Sequence, residues 1–223
     1  MKQIIIACNT LRDEVEAVLR QENLEINVVW FPSGLHNVPA ELNQRIQEEL
    51  DKLPPCDHVI LAMAYCGNSI AGVKTRDFRL TVPRVDDCIS LLLGRVKTRV
   101  EDYKGVYFMT AGWLRGERNM MTEYNYTLEK YGPRRGERIF QALFRNYTDI
   151  AMLDSGCFDK AAVEEEMRRS AETLKLGYRE IPGDLAMLRQ LLTGPWPEEK
   201  DLTVEPNSTI TVDMLELVED TAG

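Results

Sequence analysis

The sequence predicts an α/β fold, a mostly parallel, Rossmann-like sheet with helices on both faces. Short β-branched or apolar runs alternate along the chain with longer amphipathic patterns, as in proteins built from right-handed βαβ crossovers. One such run, 59–64, is apolar throughout, which is typical of a parallel strand buried on both faces. We expect one α/β domain over residues 1–223, doubly wound or made of two half-sheets, with its functional edge at the carboxyl ends of the strands.

Each predicted element follows from a local pattern. Strands are predicted from β-branched and apolar runs at 3–8, 26–31, 58–65, 80–85, 105–113, 149–156 and 176–184. Helices are predicted from apolar stripes and their end signals at 10–23, 39–53, 86–94, 159–174 and 185–194. Residues 114–147 are predicted to form a helical excursion, and 201–223 a small C-terminal extension that contains a hairpin or an edge strand.

Composition excludes several classes of protein. The chain is 44% hydrophobic, carries a formal charge of -9 and has no basic block, so nucleic acid and anionic membranes are not expected partners. No apolar run approaches the ~20 residues of a membrane span, and the N-terminus is predicted to be a strand and not a signal peptide. The odd number of cysteines, five, and the expectation that the N-terminus is a strand and not an export signal predict reduced thiols and a cytoplasmic location.

Four of the five cysteines fall at one predicted edge of the sheet. Cys8 ends the first strand, Cys66 follows the third, Cys88 the fourth and Cys157 the sixth, whereas Cys56 lies at the opposite end. Their separations of 58, 22 and 69 residues do not resemble the closely spaced pairs of structural zinc sites. A buried, inert thiol is the commoner role for any single cysteine, but four at one edge predict a shared site for a metal or cluster.

Other residues at this edge are candidates for binding and catalysis. Arg84 offers a guanidinium to a carboxylate or phosphate, so a small anionic molecule or cofactor is the expected partner. Asp87 either caps the next helix or assists catalysis, and His36 is a candidate extra metal ligand. The candidate cofactor-binding residues are Asn9, Gly67, Asn68, Arg84 and Trp113, and the candidate catalytic residues are Arg84, Asp87 and Asn68.

The first functional hypothesis is a cytoplasmic metalloprotein. Cys8, Cys66 and Cys157, together with Cys88, would bind an iron–sulfur cluster or another thiophilic metal. A cluster held by three cysteines leaves one iron open for a substrate. Catalytic zinc, with His36 among its ligands, is the neighbouring alternative.

Two further hypotheses need no metal. The chain is a cysteine-dependent enzyme or small-molecule binder, with Cys66 or Cys88 as the nucleophile and Asp87 or His36 assisting. Predicted helix N-termini beside Cys8, Cys66 and Cys88 would then lower the thiol pKa. Alternatively, the chain is an accessory or adaptor protein whose acidic surface docks an enzyme.

Four motifs together resemble an uncharacterised domain family of bacteria and archaea. They are LHNVP at 35–39, CGNSIAG at 66–72, VPRVDDCISLLLG at 82–94 and GW at 112–113, with DSGCFD at 154–159 a looser match. The resemblance implies anaerobic one-carbon metabolism, with a corrinoid as a candidate cofactor and a corrinoid protein or methyltransferase as a partner. It implies importance for His36, Cys66, Gly67, Asn68, Pro83, Arg84, Asp87 and Cys88, without assigning their roles. The family pattern has a histidine where this chain has Asp86, which argues against a role that needs an imidazole there.

Overall fold

A computed structural model describes residues 2–94 and 103–215 of the chain. The strands are β1 (Gln3–Cys8), β2 (Asn27–Phe31), β3 (His58–Ala62), β4 (Arg79–Pro83), β5 (Val106–Met109), β6 (Asp149–Asp154), β7 (Gly177–Pro182) and β8 (Asp201–Val204). The α-helices are α1 (Arg12–Gln21), α2 (Pro39–Lys52), α3 (Cys88–Leu92), α4 (Ala111–Leu114), α5 (Met120–Tyr131), α6 (Pro133–Leu143), α7 (Lys160–Leu174) and α8 (Ala186–Thr193). Short 3-10 helices cover Asn9–Leu11, Ser33–Asn37 and Val212–Leu215.

The strands form two sheets, and the predicted α/β class is confirmed. The first sheet has the order β2-β1-β3-β4-β8, in which β8 alone runs antiparallel to its neighbour. The second sheet has the order β5-β6-β7 and is parallel throughout. The arrangement is therefore two half-sheets, one of the two forms that the alternating pattern predicts.

The central strands β1 and β3 of the first sheet are buried on both faces, because β1 is apolar from Ile4 to Cys8 and β3 from Val59 to Ala62. In β1, Ile4 and Ile6 pack into a core that includes Ile46 of α2. The residues between them point to the other face, where Ile5 packs in a second core with Val15 of α1. Burial of both faces stabilises the central strands. The polar residues that follow these strands lie at the carboxyl edge of the sheet.

The fifth strand ends earlier than the sequence predicts, whereas two other regions contain elements of the predicted kind. The fifth strand stops at Met109, because the Thr110 hydroxyl accepts a 3.0 Å hydrogen bond from the Trp113 N–H and begins α4. The predicted excursion over 114–147 contains the helical hairpin α5–α6. The predicted C-terminal extension supplies β8, an antiparallel edge strand on β4, and its residues 216–223 lie outside the described part. No helix among the described residues is long and apolar enough to cross a membrane.

Candidate functional site

Cys66 lies in a strained turn that follows β3. Cys66, Gly67 and Asn68 have φ values of 41°, 69° and 63°, in the left-handed region that non-glycine residues rarely adopt. The Cys66 N–H donates a 3.0 Å hydrogen bond to the carbonyl of Asp86. This bond ties the turn to the segment after β4 and holds Cys66 beside Cys88.

Three of the four predicted cysteines come together at the carboxyl edge of the first sheet. Cys88 hydrogen-bonds with both Cys8 and Cys66, and we call these three residues the thiol cluster. Backbone N–H groups of Thr10 and Ala64 donate to the sulfurs of Cys8 and Cys88, respectively. The cluster is therefore built from the ends of β1, β3 and β4, which are neighbours in the sheet.

His36 joins the thiol cluster along one small cavity. The cavity has a volume of about 20 Å³ and is lined by Cys8, Cys66, Cys88 and His36. Its remaining walls are mostly apolar: Phe31, Pro32, Leu35, Leu42 and Met63. The volume suffices for one water-sized group, and the polar side chains that line it, among the residues the structure describes, are three thiols and an imidazole.

The pKa values at this site follow from burial and from contacts between the thiols. The hydrogen bond with Cys88 and burial raise the pKa of Cys8, and the hydrogen bond with Cys66 and burial raise that of Cys88. The expectation that helix N-termini lower the thiol pKa is wrong for these two residues, because the sulfurs meet one another in an apolar setting. Burial also lowers the pKa of His36, so its imidazole is neutral at pH 7.

The thiol cluster is not a preformed metal site. Within the described ranges, no group of three or more His, Cys, Asp or Glu side chains is placed so that it would hold a metal ion. Cys88 lies between Cys8 and Cys66 and hydrogen-bonds with both, and the Cys8 thiol also donates a 3.2 Å hydrogen bond to the Thr10 hydroxyl.

A larger cavity of about 450 Å³ opens beside the thiol cluster. Cys66, Cys88 and His36 also line this cavity, with Asp86 and Asp87. Four aromatic residues line it as well, namely Tyr107, Phe108, Trp113 and Tyr147. A planar organic group fits such walls, since aromatic rings favour stacked and edge-on contacts.

Trp113 organises the aromatic side of the larger cavity. Its ring centroid lies 4.9 Å from that of His36, and its side chain hydrogen-bonds with Tyr107. Tyr147 packs edge-on against Tyr107, with centroids 5.4 Å apart. Trp113, a candidate cofactor-binding residue, thus lies in the wall of this cavity.

The polar candidate residues have structural partners of their own. The Asp87 carboxylate accepts a 2.6 Å hydrogen bond from the Ser90 N–H as the N-cap of α3, and burial raises its pKa. The Arg84 guanidinium donates to the carbonyls of Glu198 and Met214, at 2.7 and 2.8 Å. Arg84 therefore holds the C-terminal segment in place and does not line either cavity.

Asn9, Gly67 and Asn68 take different positions around the site. The Asn9 carboxamide oxygen accepts hydrogen bonds from Arg12. Gly67 lines the larger cavity, whereas Asn68 is exposed and its carbonyl accepts a 3.0 Å bond from the Ala71 N–H.

Cys157 does not join the thiol cluster. It follows β6, which lies in the second sheet, and its sulfur lies 3.4 Å from the carbonyl oxygen of Ser155. Burial raises its pKa, and the carboxylates that act on it are Glu14 and Asp13. The prediction that four cysteines share one site therefore fits the geometry only for Cys8, Cys66 and Cys88.

Sequence reasoning missed two groups of residues at this edge. Tyr107 is the second residue of β5 and Tyr147 lies two residues before β6, and their aromatic character near the start of a strand is the signal for them in the sequence. Arg12, Arg115 and Arg118 line a further cavity. They come from α1 and from the segment that follows α4, where an arginine is more commonly a surface residue.

A comparison with protein families identifies the family of the chain. A family model described as "Protein of unknown function (DUF1638)" matches residues 30–192, and the chain belongs to this family. The matched range includes His36, Cys66, Cys88 and Cys157 but not Cys8. No curated protein and no solved structure matches the chain.

Proposed function

We propose that this DUF1638 protein binds a thiophilic metal through Cys8, Cys66 and Cys88, with His36 as a fourth ligand. The observation that carries the proposal is the meeting of three thiols and a neutral imidazole along one cavity of about 20 Å³. Three cysteines and one histidine are an established ligand set for zinc. Thiolates also suit copper(I) and iron–sulfur clusters.

The size of the cavity favours a single ion over a cluster. Its volume is close to that of one water-sized probe, whereas a cluster needs space that only the adjoining cavity of about 450 Å³ offers. The thiols hydrogen-bond to one another when no metal is bound. One or more cysteine side chains must therefore change rotamer when the ion binds. The Thr10 and Ala64 N–H groups already point at the sulfurs, in the role that outer hydrogen bonds play for thiolate ligands.

Protons leave the site when the metal binds. Cys8 and Cys88 have raised pKa values, so both are protonated at pH 7 without metal. Metal coordination requires thiolates and therefore releases these protons. His36 releases no proton when the metal binds, because its neutral imidazole already has a free lone pair for coordination.

The adjoining cavity of about 450 Å³ is where a small molecule would bind beside the metal. Four protein ligands complete a tetrahedral shell, so the ion would act as a Lewis acid only if a small molecule from that cavity took the place of His36. The aromatic walls around Trp113 and Tyr107 would hold a planar part of the molecule, and Asp87 lines the same space. A role in one-carbon or corrinoid metabolism remains a prediction from the family resemblance.

Metal and sulfide analysis of protein produced and purified without oxygen tests the proposal. We expect about one metal ion per chain, and loss of most of that metal in Cys88→Ala. The matched control is Cys56→Ala, a half-buried cysteine outside the cluster, which should keep the metal. Acid-labile sulfide would identify a cluster, and metal-free wild-type protein would overturn the proposal.

A second candidate function is thiol chemistry without metal, centred on Cys66. Its φ of 41° marks backbone strain of the kind that accumulates at functional sites, and its side chain lines both cavities. The raised pKa values of Cys8 and Cys88 make them poor nucleophiles at neutral pH. Alkylation of metal-free protein that modifies Cys66 much faster than the other four cysteines would favour this function, and uniform slow labelling would exclude it.

A further inference from the structure

A cavity of about 500 Å³ lies next to the thiol cluster and is rich in arginine. Asn9, which follows Cys8, and Leu35, which precedes His36, line its walls. Three guanidinium groups line it as well: Arg12, Arg115 and Arg118. Such a concentration of positive charge stands out in a chain whose formal charge is -9.

Two of these guanidinium groups are held by neighbouring side chains. Arg12 donates from Nε and Nη2 to the Asn9 carboxamide oxygen, at 3.3 and 3.2 Å, and its guanidinium carbon lies 4.3 Å from the centre of the Trp30 ring. Arg115 forms an ion pair with Asp13. A planar guanidinium fixed in this way loses little entropy when it binds a carboxylate or phosphate.

Arg118 differs from the other two because its charge has no partner among the described residues. Its aliphatic stem packs on Gly34, where an added Cβ would lie 2.8 Å from Arg118 Cδ and 2.9 Å from Arg118 Cβ. No carboxylate within residues 2–94 and 103–215 pairs with it, although Glu41 and Glu117 line the same cavity. The head group is therefore available to a ligand, while the stem is anchored.

The balance of charge indicates the class of ligand. Arg12 pairs with Glu16 and Arg115 with Asp13, so Arg118 carries the one positive charge of the cavity wall that no described carboxylate pairs with. A ligand with a single negative charge matches this balance, whereas a polyphosphate would meet two carboxylates. Arginine pairs with a carboxylate through two parallel hydrogen bonds.

We propose that this arginine-lined cavity binds a small organic monocarboxylate, gripped by Arg118 against the fixed guanidinium groups of Arg12 and Arg115. The volume of about 500 Å³ falls in the range of small-molecule sites, so the ligand has an organic body larger than acetate. The site is independent of the metal proposal, because none of its arginines belongs to the thiol cluster. Arg84, which the sequence suggests as an anion clamp, does not line this cavity.

Calorimetric titration of the full chain at low ionic strength tests this site, with benzoate, acetate and inorganic phosphate as probes. We expect benzoate to bind more tightly than acetate or phosphate, and added salt to weaken binding. Arg118→Ala should weaken benzoate binding by about tenfold or more, the usual loss when a charge-assisted bond is removed. Arg118→Gln gives a second variant that keeps the stem on Gly34.

The matched control is Arg138→Ala, an exposed arginine on α6 that does not line the cavity, and it should bind benzoate as wild type does. All variants must first give the wild-type circular dichroism spectrum and metal content. Tighter binding of phosphate would overturn the carboxylate assignment. Failure of all probes to bind, or equal benzoate binding by both Arg118 variants and wild type, would overturn the site itself.

Discussion

Two buried ionisable groups, Asp201 and His58, should give the protein opposing pH responses. Each residue is 1% exposed. Burial raises the pKa of Asp201 to about 6, and a 2.7 Å hydrogen bond from Gln190 offsets only part of that effect. Burial, with a smaller effect of the Arg79 charge, lowers the pKa of His58 to about 4.

The two shifts have similar size and opposite sign. The pKa of Asp201 rises from 3.8 to about 6, which corresponds to about 3 kcal/mol. The folded state binds this proton more tightly than the unfolded state, so the free energy of unfolding falls as the pH rises from about 4 to 6. The pKa of His58 falls from 6.5 to about 4, also about 3 kcal/mol, and stability is lost as the pH falls through that range. The wild-type profile should be nearly flat between pH 4 and 6.

Replacing Asp201 with Asn removes the pH response of Asp201 and leaves that of His58. The variant keeps an acceptor for Gln190 and loses the buried charge. We expect the free energy of unfolding at pH 7 to rise by up to about 3 kcal/mol. A clear increase in stability from pH 4 to 6.5, due to His58, should appear in the variant.

Urea unfolding followed by tryptophan fluorescence, repeated at several pH values, measures both effects. His58→Gln is the reciprocal variant, and its stability should fall as the pH rises from 4 to 6. An Asp201→Asn profile parallel to that of wild type would refute the reasoning, because it would mean that Asp201 titrates normally in the folded chain.

Three other substitutions test a close backbone contact, a left-handed helix end and a buried carboxylate, each by thermal and urea unfolding. Gly112→Ala should cost about 1–3 kcal/mol, because the new Cβ would lie 2.4 Å from the Asn9 carbonyl oxygen; unchanged stability would contradict this contact. Lys175→Gly should add about 1 kcal/mol, since Lys175 ends α7 at φ 59° and ψ 38°, and a loss would show that its conformation is not strained. Glu14→Gln should stabilise the protein at pH 7, because burial raises the pKa of Glu14 and Ser155 donates to only one of its oxygens; a less stable variant would mean that the buried charge is compensated.

Local patterns in the sequence predict most strands and helices, because apolar periodicity records which faces are buried. β1 and β3 are found where uninterrupted apolar runs predict them. β5 is shorter than predicted because Thr110 caps a helix inside the apolar run. Threonine occurs both within strands and as a helix N-cap, so the local pattern alone does not decide between them. The Thr110 hydroxyl also donates to the Thr10 carbonyl, a tertiary contact that the local pattern does not reveal.

The sequence places four cysteines at strand ends, but the order of the strands decides which of them meet. Cys8, Cys66 and Cys88 meet because they follow strands that are adjacent in the first sheet. Cys157 follows an equally convincing strand, but that strand belongs to the second sheet. Strand order is not encoded locally, so the sequence could not separate these cases. The contacts of Arg84 with Glu198 and Met214 are not visible in the local pattern either, because these partners are more than a hundred residues away in the chain.

X-ray absorption at the edge of the bound metal, on protein purified without oxygen, tests the central claim most directly. The proposal predicts three sulfur neighbours, at about 2.3 Å if the metal is zinc, and one nitrogen neighbour at about 2.0–2.1 Å, from Cys8, Cys66, Cys88 and His36. Cys157→Ala should leave this spectrum unchanged. A first coordination sphere of oxygen and nitrogen only, or a spectrum that keeps three sulfurs in Cys88→Ala, would contradict it.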